Sequence, residues 1–267
     1  MFAEAEENNL DAKARNERWA RWSSCSLCEQ EYHGVVRCAL GWACWKTYVG
    51  RPEADEVRCL AMGTLGNGLS YAKRLAEALV VNEAELSIRR RLWTHEEDML
   101  VVQGNLAGTY LQLGRIEDGL SMQRDVYSGR LKLNGEEHEE SLREAFNYAS
   151  LLRQLKRFEE CKALLRRTLP VSRRVLGEGN ETTLRMGCIY GWALCDDPAA
   201  TLEDLREAIT TLEDAEQIGR RVLGGAHPLT SSFERHSRQA CDALAAREGG
   251  DVSSVCDMVA AMTPGDA

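Results

Sequence analysis

The chain has 267 residues, 44% apolar and 28% charged, which reads as a folded, water-facing protein with core enough for one or two domains. Five prolines and 22 glycines exclude collagen-like and low-complexity classes. A formal net charge of −9 argues against non-specific nucleic-acid binding, which runs on phosphate neutralisation, and against a polybasic membrane anchor. The longest apolar stretch, counting one Gly, runs only from Cys38 to Trp45, where a membrane span needs about 20 residues. The acidic opening Met1-Phe2-Ala3-Glu4-Ala5-Glu6-Glu7 lacks a signal-peptide core. A cytoplasmic location is therefore expected, with the ten cysteines kept reduced.

Residues 1–54 form the first expected region. Trp19, Trp22, Trp42 and Trp45 are four of the six tryptophans, and Cys25, Cys28, Cys38, Cys44 and His33 sit among them. Val35 to Val49 reads as a helix. Cys38, Trp42 and Trp45 recur at helical spacing and are expected to dock on Leu60 and Leu65, capping the apolar end of the downstream helices. Two chemical readings stand beside this cap. Cys25-x2-Cys28-x4-His33-x4-Cys38 supplies the four soft ligands of a tetrahedral zinc site, and the spacing resembles a zinc knuckle, with Glu29 and Tyr32 where that family carries Gly. A helix starting near His33 would turn His33 and Cys38 to different faces. Trp19-x2-Trp22-x2-Cys25-x2-Cys28-x3-Tyr32 resembles the last ligand pair of a RING-CH (RING-variant) finger. The residues before it do not supply that finger's other ligands, so the resemblance implies a remnant, with a zinc-binding accessory of ubiquitin transfer as its function.

From residue 55 the chain repeats itself. Asn105-Leu106-Ala107 returns as Asn147-Tyr148-Ala149, Leu113-Gly114-Arg115-Ile116-Glu117 as Leu155-Lys156-Arg157-Phe158-Glu159, and Gly135 as Gly177, each 42 residues on. Leu65 to Leu79 matches Leu106 to Leu120 at a spacing of 41, and Arg173-Arg174-Val175-Leu176-Gly177 returns 47 residues later as Arg220-Arg221-Val222-Leu223-Gly224. The extra length falls near the loop Asp196-Asp197-Pro198. Within a repeat, Leu106, Tyr110 and Leu113 mark one helix and Leu120, Val126 and Leu131 the next. The break falls at Leu113-Gly114-Arg115, where Gly can take the left-handed conformation that ends a helix. Gly63-x2-Gly66-x-Gly68 lies inside a helix and reads as a close-packing site. About four hairpins over 55–247, a closing helix and a tail from 248 to 267 are expected. Basic residues close the second helices and acidic residues open the next first helices, which suits the helix dipole.

The pattern Asn-Leu-Ala-x-x-Tyr-x-x-Leu-Gly-Arg-x-Glu resembles the first helix and turn of a tetratricopeptide repeat. The period near 42 residues, with Arg-Arg-Val-Leu-Gly-x-x-His-Pro at 220–228, is similar to the kinesin light chain subclass. That resemblance implies an all-α, right-handed α-α superhelix whose first helices face a partner peptide. It marks Asn67, Asn105, Gln112, Arg143, Asn147, Gln154 and Arg185 as groove residues. Asn amides can bond a peptide backbone and Arg143 can fork onto a carboxylate, which points to a protein or peptide partner of acidic character. The competing expectation is that Asn105 and Asn147 make hydrogen bonds between repeats. The fourth unit departs from the pattern, with Ile189 in place of Asn and Trp192 at a usually small position.

No P-loop, Rossmann glycine motif or HExxH occurs, and none of the five histidines pairs with a Ser or Cys nucleophile. Glu136-Glu137-His138-Glu139-Glu140 matches ordinary inter-repeat turns, and His227-Pro228 reads as a helix start. The expectation is therefore a non-enzymatic scaffold or adaptor with no cofactor unless zinc binds. A kinesin-light-chain-like cargo adaptor is a further alternative.

Overall fold

The computed structural model describes residues 19–92 and 95–262, with side chains described as far as residue 248. Ten named helices occur among the described residues: α1 (Gly34–Tyr48), α2 (Glu56–Tyr71), α3 (Leu75–Leu92), α4 (Glu96–Gln112), α5 (Ile116–Asn134), α6 (Glu139–Gln154), α7 (Phe158–Val175), α8 (Glu181–Asp196), α9 (Leu202–Val222) and α10 (Pro228–Met262). No strand occurs among them, only an isolated antiparallel bridge between Ser24 and Glu31. The all-α expectation is met. Hairpins α2–α3, α4–α5, α6–α7 and α8–α9 correspond to the four repeats, and α10 is the closing helix. The expected tail boundary at 248 falls inside α10, whose helical backbone continues to Met262.

Local chemistry sets the helix limits. Asp55 and Asn180 accept from the backbone N–H groups of Val57 and Thr182, both at 2.8 Å, satisfying donors that a helix start leaves free. His138 and His227 do the same through Nδ1 at 3.2 Å for Glu140 and Leu229, so both histidines are helix caps. Within the first three hairpins the turn is one motif. The N–H groups of Arg74, Arg115 and Arg157 donate at 2.9 Å to the carbonyls of Leu69, Tyr110 and Leu152, five residues back. That geometry requires a left-handed residue before each arginine. Gly114 has φ 77° as expected, but the matching places are held by Lys73 (φ 62°) and Lys156 (φ 58°). A side chain there crowds the following carbonyl. The fourth turn is longer and built differently, with Thr201 and Asp204 forming a capping box at the start of α9.

Contacts divide the chain into one unit ending at Gly129 and another beginning at Arg130, inside α5. In the first unit, α1 packs on α2 backbone to backbone. A Cβ on Gly68 would lie 2.8 Å from the Arg37 carbonyl oxygen, and one on Gly41 would lie 3.0 Å from that of Thr64. This approach closes the cluster of Cys38, Leu65, Leu69 and Ala78, with Trp42 and Trp45 against it. Cys38, Trp42 and Trp45 thus meet Leu65 as expected, with one correction. Leu60 is 37% exposed rather than docked, because five residues of helix separate its side chain from that of Leu65 by well over a quarter-turn. Trp19 and Trp22 pack behind the cap on Cys44, Tyr48 and Ala61.

Between α2, α3 and α4 the packing is partly polar. Asn82, Glu85 and Arg89 share one face of α3 and are all buried. Gly63 and Gly66 leave the room that Glu85 and Asn82 occupy, so these two glycines are a packing site as expected. Asn82 Nδ2 donates to Thr109 Oγ1 at 3.1 Å, joining one repeat to the next. Arg89 donates to Glu85 at 3.0 Å and lies 3.6 Å from Asp98.

In the second unit α7 packs on α6 and α8, and α9 on α8 and α10. The first helices also touch one another, α6 with α8 and α8 with α10. Leu184, Cys188, Leu212, Ala215 and Phe233 form its apolar cluster. Lys162 of α7 and Asp197 of the α8–α9 turn, both buried, pair at 2.8 Å. The Lys162 hydrogen bond holds the Asp197 carboxyl below the usual carboxylate range. Arg166 donates to Tyr190 Oη at 2.9 Å, and Tyr190 donates to Glu207 at 2.5 Å, linking α7, α8 and α9.

This packing makes stability testable at single positions. Lys156→Gly should raise the unfolding free energy by about 0.5–1 kcal/mol in denaturant titrations, by relieving a left-handed side chain. Gly68→Ala should lower it by about 1–3 kcal/mol through backbone overlap. Gly104→Ala on α4, whose Cβ would meet nothing within 4 Å, should be neutral or stabilising by up to about 1 kcal/mol. Burial pushes the Glu85 carboxyl up to about 7 from its ordinary 4.5, against the opposing pull of Arg89. Folded Glu85 thus keeps its proton where the unfolded chain has lost it, so stability should fall as pH rises from about 4.5 to 7 and then level off. Glu85→Gln should flatten that slope in unfolding midpoints followed by circular dichroism, and an unchanged slope would refute the assignment.

Candidate functional site

The seven residues marked as groove positions fall in both units. In the first, Asn67 and Asn105 are half-buried on α2 and α4, and Gln112 is exposed at the end of α4, accepting from Lys73 Nζ at 3.4 Å. In the second, Arg143, Asn147 and Gln154 lie on α6 and Arg185 on α8. Arg143 is held by Glu140, and Asn147 donates to Glu144 at 3.1 Å. Arg185 pairs with Glu181 at 2.5 Å. The inter-repeat hydrogen bond expected of Asn105 and Asn147 is made by Asn82, from a second helix. Asn147 instead bonds within its own helix, and Asn105 has no side-chain hydrogen bond among the described residues.

Gln154 and Arg185 come together at a groove of about 240 Å³ between α6, α8 and α10. Phe146 and Ser150 line it from α6, Ile189 and Trp192 from α8, and Leu229 from α10. Trp192 is central. The Arg153 guanidinium stands 4.6 Å from its ring and the His236 ring 4.3 Å from it, centre to centre. Arg153 is in turn paired with Asp196 at 3.2 Å. Burial pushes the His236 imidazole below its usual range, so it stacks uncharged near neutrality and its Nδ1 lies 2.6 Å from the Ser232 carbonyl. The groove therefore has an apolar floor and a polar wall bearing a guanidinium. The departures noted in the fourth repeat, Ile189 and Trp192, supply that floor. Motif matching marks polar positions, so Phe146 and Leu229 escape it. A second opening of about 440 Å³ lies against α7 and α9, where Arg173 and Arg221 face Glu178 and Asp214. Its mixed charge favours no ion of either sign.

The four cysteine and histidine positions proposed for zinc are not gathered. Cys38 is locked in the α1–α2 core, and the His33 ring rests on Tyr71 with centres 6.1 Å apart. No group of three His, Cys, Asp or Glu side chains among the described residues is arranged to hold a metal. Cys25 and Cys28 do come together in a tight turn, closed by Glu29 N–H on the Cys25 carbonyl and Cys25 N–H on the Gln30 carbonyl, both at 2.9 Å. Glu29 comes next with φ 58°, a conformation that Gly adopts most cheaply. The Leu27 and Cys28 backbone N–H groups pull the Cys25 thiol below its ordinary value. Burial pushes the thiols of Cys44 and Cys161 up to about 12 and that of Cys195 up to about 11.

The tetratricopeptide repeat family model matches residues 100–140 and 147–181, over most of the second and third hairpins and on to the first residue of α8. Among solved structures, a single-substitution form of a Podosopora anserina "putative kinesin light chain nearly identical TPR-like repeats" protein aligns at TM-score 0.62 and 18% identity, over 76% of this chain and 93% of that one. BtubC (BKLC) from P. vanneervenii aligns at TM-score 0.62 and 14% identity, over 86% of this chain and 94% of that one. No curated protein sequence matches the chain. Over those two segments the chain matches tetratricopeptide repeats. In fold it is similar to kinesin-light-chain-like repeat proteins. No helix among the described residues is long and apolar enough to cross a membrane.

Proposed function

We propose that this chain is a non-catalytic scaffold or adaptor of the cytosol, holding a peptide segment of a partner protein in the groove between α6, α8 and α10. The observation that supports this reading is the pairing of an apolar floor with a polar wall in one groove, made by Phe146, Ile189, Trp192 and Leu229 beside Gln154 and Arg185. A bulky apolar side chain would shed water on that floor. The Gln154 amide can meet a peptide backbone, and Arg185 can fork onto a carboxylate. Its present pairing with Glu181 is solvent-exposed and weak, so a peptide carboxylate can compete for it. Arg143 and Asn147 lie farther toward the start of α6 and extend the polar wall for a longer peptide. Likeness in fold to light-chain-like repeat proteins supports the narrower version, a cargo adaptor, with the same groove as its contact.

Selection from a displayed peptide library on the full chain should recover segments that carry a large apolar residue near an acidic one. Arg185→Ala and Gln154→Ala should each weaken the selected peptide by about tenfold in fluorescence anisotropy, the equivalent of about 1.4 kcal/mol. The double change Arg143→Ala with Asn147→Ala should weaken longer peptides more than short ones. Unchanged affinity in variants that melt like the parent would remove the groove from consideration.

A further inference from the structure

We propose that the cleft of about 440 Å³ against α7 and α9 binds a short zwitterionic peptide of about three residues, its free carboxylate on Arg173 and Arg221 and its free ammonium on Asp214. On α9, Asp214, Gln217, Ile218 and Arg221 recur at helical spacing and share one face. Ile218 packs against the cluster of Leu184, Leu212 and Phe233, which anchors that face beside the cleft. Seven residues of helix separate Asp214 from Arg221, so the two lie about 10 Å apart along α9. The facing wall is Arg173, in the last turn of α7, and Glu178, in the turn that follows. That turn is held in place. Gly177 takes φ 93°, Asn180 accepts from the Thr182 N–H at 2.8 Å, and the buried hydroxyls of Ser172 and Thr183 meet at 2.7 Å. The turn also touches the end of α9, since a Cβ on Gly179 would lie 3.0 Å from Val222 Cγ2. Arg173 and Glu178 therefore join Arg221 at one end of the cleft, and Asp214 stands at the other. Two guanidinium groups against one carboxylate make the first end positive, and the Asp214 carboxylate makes the second negative.

Pairing sets this cleft apart. Neighbouring arginines are engaged: Arg174 with Glu137 at 2.6 Å, Arg166 with Asp204 at 3.4 Å and Arg220 with Glu216 at 2.8 Å. Arg173, Glu178, Asp214, Gln217 and Arg221 make no side-chain hydrogen bond or ion pair among the described residues, and all five are exposed. Four charges of both signs thus open on one hollow without cancelling in pairs.

The charge pattern selects the ligand. A lone ion of either sign meets attraction at one end and repulsion at the other, whereas a molecule with both charges, spaced to match, is attracted at each end. An extended chain advances about 3.3–3.6 Å per residue, so the termini of a tripeptide span the distance of about 10 Å between the poles. The guanidinium groups can fork onto the terminal carboxylate. The Gln217 amide, between the poles, can both donate to and accept from the peptide backbone. This cleft lies on second helices, apart from the groove between α6, α8 and α10, and does not depend on it.

The test is isothermal titration calorimetry of the full chain with trialanine as the probe, beside its N-acetyl and C-amide forms. Trialanine should bind saturably, and loss of either terminal charge should weaken it by about tenfold. Asp214→Asn should weaken trialanine by the same factor and leave the N-acetyl form unchanged. Arg221→Gln should do likewise and leave the C-amide form unchanged. Circular dichroism melts that match the parent show that each variant keeps the fold. No saturation up to about 10 mM trialanine, equal binding of the blocked forms, or tighter binding of dialanine would overturn the proposal. Loss of trialanine binding in Arg185→Ala would place the peptide in the other groove and overturn it too.

Discussion

Each helical hairpin in this chain carries an apolar flank that it cannot shelter alone, and the need to cover that flank governs the rest of the structure. Burial is worth about 25 cal/mol per Å² of apolar surface, so an uncovered flank is costly and the next hairpin is the nearest cover. Among the described residues, a single named helix precedes the first repeat and covers its flank. Helix α1 takes that role, and the glycines at 41 and 68 let the two backbones come close enough for Cys38, Leu65 and Leu69 to make one core. The tryptophans at 19, 22, 42 and 45 broaden the cover, which accounts for their crowding into one short segment.

Apolar stacking alone leaves register loose, because one oily flank slides on another at little cost. Buried polar groups remove that freedom. Asn82 reaches Thr109 across a repeat boundary, and Lys162 meets Asp197 in the longer fourth turn. Such groups are costly when unpaired, so a slipped register would leave each of them stranded. Small residues opposite them make the room, as Gly63 and Gly66 do for Glu85 and Asn82. Both helices of a hairpin thus contribute to core packing and to polar pinning.

The groove borders that packing, since Trp192 and Leu229 line it and also pack against the cluster of Leu184, Cys188 and Phe233. The groove of the second unit sits between α6, α8 and α10, and on its floor Trp192 is held between Arg153 and His236. The Cys25–Cys28 turn precedes α1 and is tied to it by Arg37, so it is held in place without being buried. The groove combines a rigid support with an accessible face, as a binding site needs.

The amino-acid sequence by itself determined the helical class, the 42-residue period, the turn at Leu113-Gly114-Arg115 and the packing of Cys38, Trp42 and Trp45 on Leu65. These depend on spacing along the chain, and helical geometry turns spacing directly into a face. It also marked Gln154 and Arg185, because a repeat carries its position labels with it. Only the tertiary structure decided that Leu60 faces away from the cap, that Asn82 rather than Asn105 bridges two repeats, and that Cys38 and His33 part company with Cys25 and Cys28. The groove floor of Phe146, Ile189, Trp192 and Leu229 belongs there too, since it draws on three helices far apart in the chain. Contacts across such separations rest on how helices are placed in space, and periodicity along one helix carries no record of its neighbour's angle or depth.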